Sequence, residues 1–263
     1  MSDLPNDNVT FDPLKRCSII LVSPRVPENI GAAARAMKNF SLEDLRLVEP
    51  RDWDRERAYR MARDGRDVLD RAKVFSSLRE AVSDLSFLAA STARKRRERK
   101  ELPLSPSEGA KRLLEASSDG RVGLVFGPEE SGLSNRELDY SNFLMTIDAN
   151  PEFSSLNLAQ SLVIFCHSLF TERSSVLETK MEYSKNSATK MEEKASIGEI
   201  EGLFEHGREF LLKVGFLNPQ NPDAVLLHFR KLLARAEAKS HEIKTLRGIL
   251  RQCDWYIQSL LKR

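Results

Sequence analysis

No run of apolar residues in this chain approaches the ~20 that a membrane-spanning helix requires, so no membrane span is expected. The first residues, Met-Ser-Asp-Leu-Pro-Asn-Asp-Asn, lack the basic start and apolar core of an export signal, and secretion is not expected. Cysteine is scarce. Cys17, Cys166 and Cys253 are odd in number, far apart and set among apolar neighbours. They imply buried free thiols in a reducing cytoplasm rather than a disulfide framework. The four histidines (His167, His206, His228, His241) share no ligand spacing with any cysteine, so no metal site is expected. An excess of one charge is missing too: a net charge of +2 does not by itself mark a nucleic-acid binder. Finally, no G-x-G-x-x-G turn follows the first strand-like run, Cys17–Val22. It leads instead into Ser-Pro-Arg-Val-Pro-Glu-Asn-Ile-Gly, which argues against a nucleotide-binding oxidoreductase.

What is present is a chain of 263 residues with 41% apolar and 30% charged side chains, enough for one substantial core or a domain with an appendage. Short apolar runs at Cys17–Val22, Leu45–Val48, Ala72–Phe75, Leu85–Ala90, Val122–Phe126 and Leu144–Ile147 read as strands. Helical patterns fall between them at 29–40, 54–70, 77–83, 106–117 and 134–139. This alternation predicts a parallel sheet with helices on both faces. After 173–197, a stretch poor in apolar residues that reads as a linker, partly helical at its start, three amphipathic helices are expected. The first runs from Ile197 to Val214. The second is capped by Asn221 with Pro222 at its first position, and the third carries Ile243, Leu246, Ile249, Leu250, Cys253, Ile257 and Leu260. Arg230, Lys231, Arg235, Lys239, Lys244, Arg247 and Arg251 fall on the opposite faces.

The most informative stretch is Ile-Asp-Ala-Asn-Pro-Glu-Phe-Ser-Ser-Leu-Asn-Leu-Ala-Gln-Ser-Leu-Val, residues 147–163. A strand end runs into a polar loop and then into a helix headed by Ser154, Ser155 and Asn157. Behind that cap Leu156, Ala159, Leu162, Val163, Cys166 and Leu169 recur at helical spacing. A helix start offers free N–H groups, and two hydroxyls and an amide crowd the same place. Two other segments have related character. Asn-Ile-Gly-Ala-Ala-Ala-Arg, residues 29–35, follows the first strand. Leu-Val-Phe-Gly-Pro-Glu-Glu-Ser-Gly-Leu, residues 124–133, is a strand running into a glycine-rich loop.

In this order, the three segments resemble the motifs of SPOUT-class RNA methyltransferases, in the branch that methylates ribose 2′-hydroxyls. Ser91-Thr92-Ala93-Arg94 resembles a further cofactor-side segment of that branch. The tail, with Val214-Gly215-Phe216 and Leu246-Arg247-Gly248-Ile249-Leu250-Arg251, resembles the bacterial tRNA (cytidine/uridine-32) 2′-O-methyltransferases. The likeness spans roughly residues 17–255. It implies an α/β fold: a parallel-sheet SPOUT domain over 17–172, tied in a trefoil knot, behind an N-terminal tail of residues 1–16. A helical tRNA-binding extension would occupy 198–263. It also implies S-adenosylmethionine as cofactor, tRNA as substrate, a cytoplasmic setting and a homodimer in which the first-motif arginine of one chain completes the site of the other.

Residue by residue, the resemblance makes Arg35 the catalytic group acting on the 2′-hydroxyl. A guanidinium stays charged, so stabilising the forming alkoxide while a neighbouring phosphate takes the proton is the sounder chemistry. Asn29 and Ser155 match active-site positions, although Asn29 also reads as the cap of its helix and Ser155 as a cap of the later one. Ser91, Thr92, Ala93, Gly127, Ile147, Ser154, Ser155 and Leu156 match cofactor contacts, and Glu129 matches the acidic residue of its motif. Pro128 and Glu130 depart from cations found in some relatives. The run Arg94-Lys-Arg96-Arg97-Glu-Arg-Lys100 has six cations in seven residues directly after the cofactor-side segment. Arg94, Arg96 and Arg97 are therefore expected to hold RNA phosphates. The alternatives are a ribosomal RNA ribose methyltransferase, or an RNA-binding protein of the same fold without catalysis. The joint presence of Arg35, Asn29, Ser155 and the Gly127/Gly132 loop favours the enzyme.

Overall fold

The structure, a computed structural model of the chain, describes residues 11–93, 102–150, 152–153, 155–186 and 193–261. Six strands form one sheet: β1 (Cys17–Val22), β2 (Asp44–Val48), β3 (Lys73–Phe75), β4 (Leu85–Ser91), β5 (Arg121–Phe126) and β6 (Phe143–Met145). Their order is β3-β2-β1-β5-β4-β6, and every pairing is parallel. Central β1 is buried at every position because both faces of the sheet are covered. Ile19 and Leu21 point to one layer, Ile20 and Val22 to the other.

The first layer holds α1 (Pro27–Asn39), α2 (Arg55–Ala62), α3 (Arg66–Arg71), α5 (Pro106–Ala116) and α7 (Leu158–Asn186). The second holds α4 (Leu78–Ala81) and α6 (Asn135–Leu138), and receives Ile197 from the tail. All six expected strands are present, with ends shifted by one or two residues. The expected helix over 54–70 is broken, however. A 3-10 turn, Arg63–Gly65, separates α2 from α3, and Arg63 stands there at φ +51°. The helix entering 173–197 also runs further than a linker would, continuing to Asn186.

Two buried stripes explain how the helices seat. On α7, Leu158, Leu162, Phe165, Cys166, Leu169 and Val176 face the core, while Val163, expected on that face, is 45% exposed. On α1, Gly31 lets Ala58 and Met61 of α2 approach to a distance that a side chain would block.

The tail consists of α8 (Ile197–Lys213), α9 (Pro222–Ala236) and α10 (Ser240–Leu261). It is fastened to the sheet domain. The Gly198 N–H donates to the Ser83 carbonyl at 3.0 Å, Lys194 pairs with Asp119 and Glu237, and Arg79 pairs with Glu205. Several expectations for the tail are corrected. The Asn221 side chain makes no capping bond, although Pro222 does open α9. Arg230 is not on a free basic face: it forks onto buried Glu201 and lies over the Phe204 ring at 4.5 Å. Cys253 is exposed, as are Leu246 and Ile249, because α10 is covered chiefly by a single helix, α8. Cys17 and Cys166 are buried as expected. Burial, then the charge of Asp44, pushes the Cys17 thiol up to about 12, so it is no nucleophile.

The amino ends of the strands carry a buried ionic network. Arg46, 2% exposed, pairs with Asp44 and Asp84, and its Nη1 donates to the Ala81 carbonyl at 2.6 Å. Arg121 joins from the first position of β5, and the Ser18 hydroxyl donates to Asp44 at 2.6 Å. Burial opposes ionisation of Asp44, but the hydrogen bonds from Arg46 and Ser18 outweigh it and hold its carboxyl below the usual range.

Candidate active site at the carboxyl ends of the strands

The strand order reverses between β1 and β5, and loops leaving the sheet there diverge. In open α/β sheets this crevice is the usual ligand site. Here it is closed. Arg25, in the loop after β1, donates its N–H to Glu129 at 3.3 Å and its guanidinium to Glu130 at 2.6 Å, both in the loop after β5. The open cavity lies one strand further along. About 210 Å³ in volume, it is walled by Ser91–Ala93 at the end of β4, by the loop 126–133, by Leu138, and by Ser155, Leu156, Leu158 and Ser161. The sheet order brings these segments together, since β4 lies between β5 and β6.

The chemistry of the walls is mixed. Leu133, Leu138, Leu156, Leu158 and Phe126 offer an apolar surface to a flat ring, while hydroxyls of Ser91, Thr92, Ser131, Ser155 and Ser161 rim it. The Thr92 N–H is already used, donating to the Met145 carbonyl at 2.9 Å, which fixes the β4 exit against β6. The loop after β5 is shaped by its two glycines in different ways. Any side chain on Gly127 would collide with the backbone of Gly132 and Leu133, so this glycine is required by the loop's own closure. Gly132 stands at φ +65° with open space before it, and its N–H donates to the Pro128 carbonyl at 2.8 Å. A donor set of hydroxyls and backbone around an apolar slot fits the adenosyl part of S-adenosylmethionine.

Beside the cavity a polar junction ties three segments. Asn29 donates from Nδ2 to Glu129 at 2.9 Å and accepts at Oδ1 from Asn157 Nδ2 at 3.2 Å. Asn157 Oδ1 in turn accepts from the Ala159 N–H at 2.8 Å. Two expected roles change. Asn29 does not cap α1, which begins at Pro27 after Val26, with no side-chain cap; Asn29 is the third residue of the helix. Nor does Ser155 cap α7: Asn157 does, and Ser155 is one of the residues lining the cavity.

Of the expected cofactor contacts, Ser91, Thr92, Ala93, Gly127, Ser155 and Leu156 line the cavity. Ile147 does not; it is half-buried and packs against the main hydrophobic core. Ser154, like Arg94, Arg96 and Arg97, lies outside the described residues. Arg35 is exposed on α1 and is absent from the cavity wall of its own chain. It stands six residues past Asn29, roughly 9 Å further along the helix axis, with no ionic or hydrogen-bonding partner among the described residues. Sequence reasoning missed Arg25, Leu133, Leu138 and Ser161. Only the Gly-Pro-Glu-Glu-Ser-Gly signature hinted at this neighbourhood.

An all-parallel sheet of this order, with its open slot among the late loops and no G-x-G-x-x-G turn after β1, is not built as a dinucleotide-binding domain, and the comparisons with known proteins give its class. Residues 16–167 match the SpoU rRNA Methylase family, and residues 198–261 match the C-terminal domain of tRNA methyltransferase TrmJ. The chain belongs to the SpoU methylase family and is an S-adenosylmethionine-dependent RNA methyltransferase. It is 37% identical over 240 residues to the tRNA (cytidine/uridine/adenosine-2′-O-)-methyltransferase TrmJ of Pseudomonas aeruginosa, covering 90% of this chain and 93% of that one. It is 31% identical over 233 residues to the tRNA (cytidine-2′-O-)-methyltransferase TrmJ of Methanocaldococcus jannaschii, covering 87% and 96%. The crystal structure of TrmJ from Z. mobilis ZM4 superposes with a TM-score of 0.75 at 37% identity, covering 90% of this chain and 98% of that one.

Proposed function

We propose that this enzyme methylates the ribose 2′-hydroxyl of nucleotide 32 in the anticodon loop of tRNA, in the cytoplasm, as a homodimer. The TrmJ-type tail over 198–261 is the observation that favours tRNA over ribosomal RNA. In this reading residues 17–172 form the knotted methyltransferase unit and 198–263 a tRNA-binding extension.

S-adenosylmethionine supplies an electrophilic methyl group for in-line attack by the ribose oxygen. The residues that would hold it are Ser91–Ala93, Gly127, Ser154, Ser155 and Leu156. Asn29 and Glu129 keep the loop after β5 and the start of α7 in register, so the slot is formed before RNA arrives. Ser155 orients the ribose from the cavity rim. Arg35 stabilises negative charge growing on the 2′-oxygen while a flanking phosphate accepts the proton. Arg94, Arg96 and Arg97 take RNA phosphates next to the β4 exit.

The dimer reading rests on Arg35 and its surroundings. The arginine lies outside its own cavity, and α1 packs on α7, whose outward Val163, Ile164 and Phe170 are 45%, 36% and 41% exposed. A symmetric contact over this apolar face would carry Arg35 to the partner's cavity. The test is methyl transfer to tRNA with a single 2′-deoxynucleotide at position 32. Loss of incorporation supports the reading, and undiminished incorporation refutes it. Arg35→Ala should cut transfer ~10²–10⁴-fold with S-adenosylhomocysteine binding retained in titration calorimetry.

A further inference from the structure

The charged stretch after β2 has no role in the reaction described above, yet it lies against the reacting helix. The α2 helix and the 3-10 turn run alongside α1. Gly31 meets Ala58 and Met61, and Gly65 sits so close to Ala34 and Arg35 that a side chain on it would reach the Arg35 Cα at 2.9 Å. Arg63 and Arg66 flank Gly65. One turn back, Arg60 helps Arg57 depress the Glu28 carboxyl, next to Asn29; the Arg57 hydrogen bonds are the main cause.

The ion pairs divide this stretch into two sets. Arg55 pairs with Asp70 and Arg57 forks onto Glu28. Asp54 caps α2, and Asp67 takes Lys38 and Arg71. Arg60, Arg63 and Arg66 remain, all exposed and in no ion pair among the described residues, with Glu28 the one carboxylate that Arg60 acts on at a distance. Asp64 is the one acid among them from 60 to 66. Arg66 is held over the Tyr59 ring at 5.7 Å, with Arg55 over the same ring at 5.2 Å. A guanidinium fixed in this way loses less freedom when it binds a phosphate.

Arg63 supplies an independent sign. It stands at φ +51°, ψ −118°, a region that only glycine enters without strain. The fold holds an arginine there, with its neighbour Gly65 against Arg35.

We propose that Arg60, Arg63 and Arg66 form a ridge that grips the RNA sugar-phosphate backbone next to the nucleotide presented to Arg35. The recognised chemistry is the phosphodiester, not the bases, so the ridge contributes affinity and register without sequence preference. This rests on the RNA-methyltransferase reading above.

The experiment uses the full chain and whole tRNA in filter-binding salt titrations, on wild type, on Arg60→Ser/Arg63→Ser/Arg66→Ser, and on Arg63→Gly. The triple variant should bind tRNA more weakly and with a shallower salt dependence, by ~0.7–0.9 in slope for each lost phosphate contact. Its S-adenosylhomocysteine affinity should match wild type. Arg63→Gly should move two readouts in opposite directions: tRNA affinity falls, while Tm rises by ~2–4 °C as the strain is relieved. An unchanged affinity and slope in the triple variant, or an Arg63→Gly protein that gains stability at no loss of tRNA affinity, would overturn the ridge. Failure of wild type itself to bind tRNA would overturn the substrate reading, and is seen separately from either.

Discussion

The two ends of the same parallel sheet handle charge in opposite ways. At the amino ends Arg46, Asp44, Asp84 and Arg121 are locked into one network, with Arg46 almost fully buried. At the carboxyl ends polar groups are half-exposed and joined by isolated contacts between loops, and Arg35, the group proposed above to act on the 2′-hydroxyl, has no partner among the described residues. A buried charge without a partner costs far more than an exposed one. Fully paired charges can therefore serve stability, whereas groups that must meet a ligand have to stay hydrated and unfilled. The amino end is built to be finished on folding, the carboxyl end on binding.

Breaking the finished end should have the largest effect. Arg46→Ala removes the chief partner of Asp44, which is 16% exposed, and leaves it only Arg121 and the Ser18 hydroxyl. Urea unfolding should show a loss of ~3–5 kcal/mol. The rate of methyl transfer per folded molecule should hold, since no cavity residue touches this network. A stability loss below ~1 kcal/mol would make the network a surface-like one.

Gly127→Ala reverses the pattern. A Cβ there meets the Gly132 and Leu133 backbone, so the loop after β5 must shift. The expected cost is ~1–3 kcal/mol, the range for overpacking, together with a clear loss of S-adenosylhomocysteine affinity in calorimetry. Affinity unchanged from wild type would show that the loop's closed shape is not what forms the slot.

A smaller effect is expected from Asn157→Ala, which removes the α7 cap and one of the two bonds to Asn29. Thermal unfolding should report ~0.5–2 kcal/mol. Methyl transfer should fall by more than that stability loss explains if the junction also sets the position of the cavity wall.

Acid titration gives the mildest test. Asp44 and Asp84 are both held below the ordinary carboxylate range: burial opposes this, but hydrogen bonds from Arg46 outweigh it. Their contribution is present above the unfolded value, about 3.9, and is lost as pH falls through the lower folded values. Unfolding free energy should thus be insensitive to these groups at neutral pH and drop below pH ~4. In Arg46→Met the drop should be shallower, because the group that lowers both carboxyls is gone.

How much of this was legible in the sequence can be judged element by element. Short, β-branched apolar runs such as Ser18-Ile-Ile-Leu-Val22 between turn signals read as buried strands, and all six strands were found within one or two residues. The cavity residues were legible through the family resemblance: Ser91-Thr-Ala93, the Gly127 loop and Ser155-Leu156 match its motifs, and all of them line the slot. Periodicity failed where burial comes from a neighbour rather than from the helix itself. Val163 and Ile249 sit at helical spacing yet face outward, because no described element covers them. The break at Arg63 was missed although Gly65 lies in it, because a lone glycine inside a helical pattern does not by itself end a helix; the close packing of Gly65 on Ala34 and Arg35 is what requires it there.

By itself, the sequence determined the strands, the alternation that makes the sheet parallel, the kinds of group at the site and the family to which they belong. Apolar patterning is sufficient for the strands and the alternation, and the resemblance of three motifs in order for the site groups and the family. Only the tertiary structure decided the strand order that sets β4 between β5 and β6, and so brings segments 91–93, 127–133 and 155–161 around one slot. It alone showed that Arg25 bridges the β1/β5 crevice, that Asn29 joins loops rather than capping α1, and that Arg35 is exposed and absent from the lining of its own chain's cavity. Each of these is a relation between residues up to about a hundred or more positions apart, fixed by how the layers pack, and no local pattern encodes it.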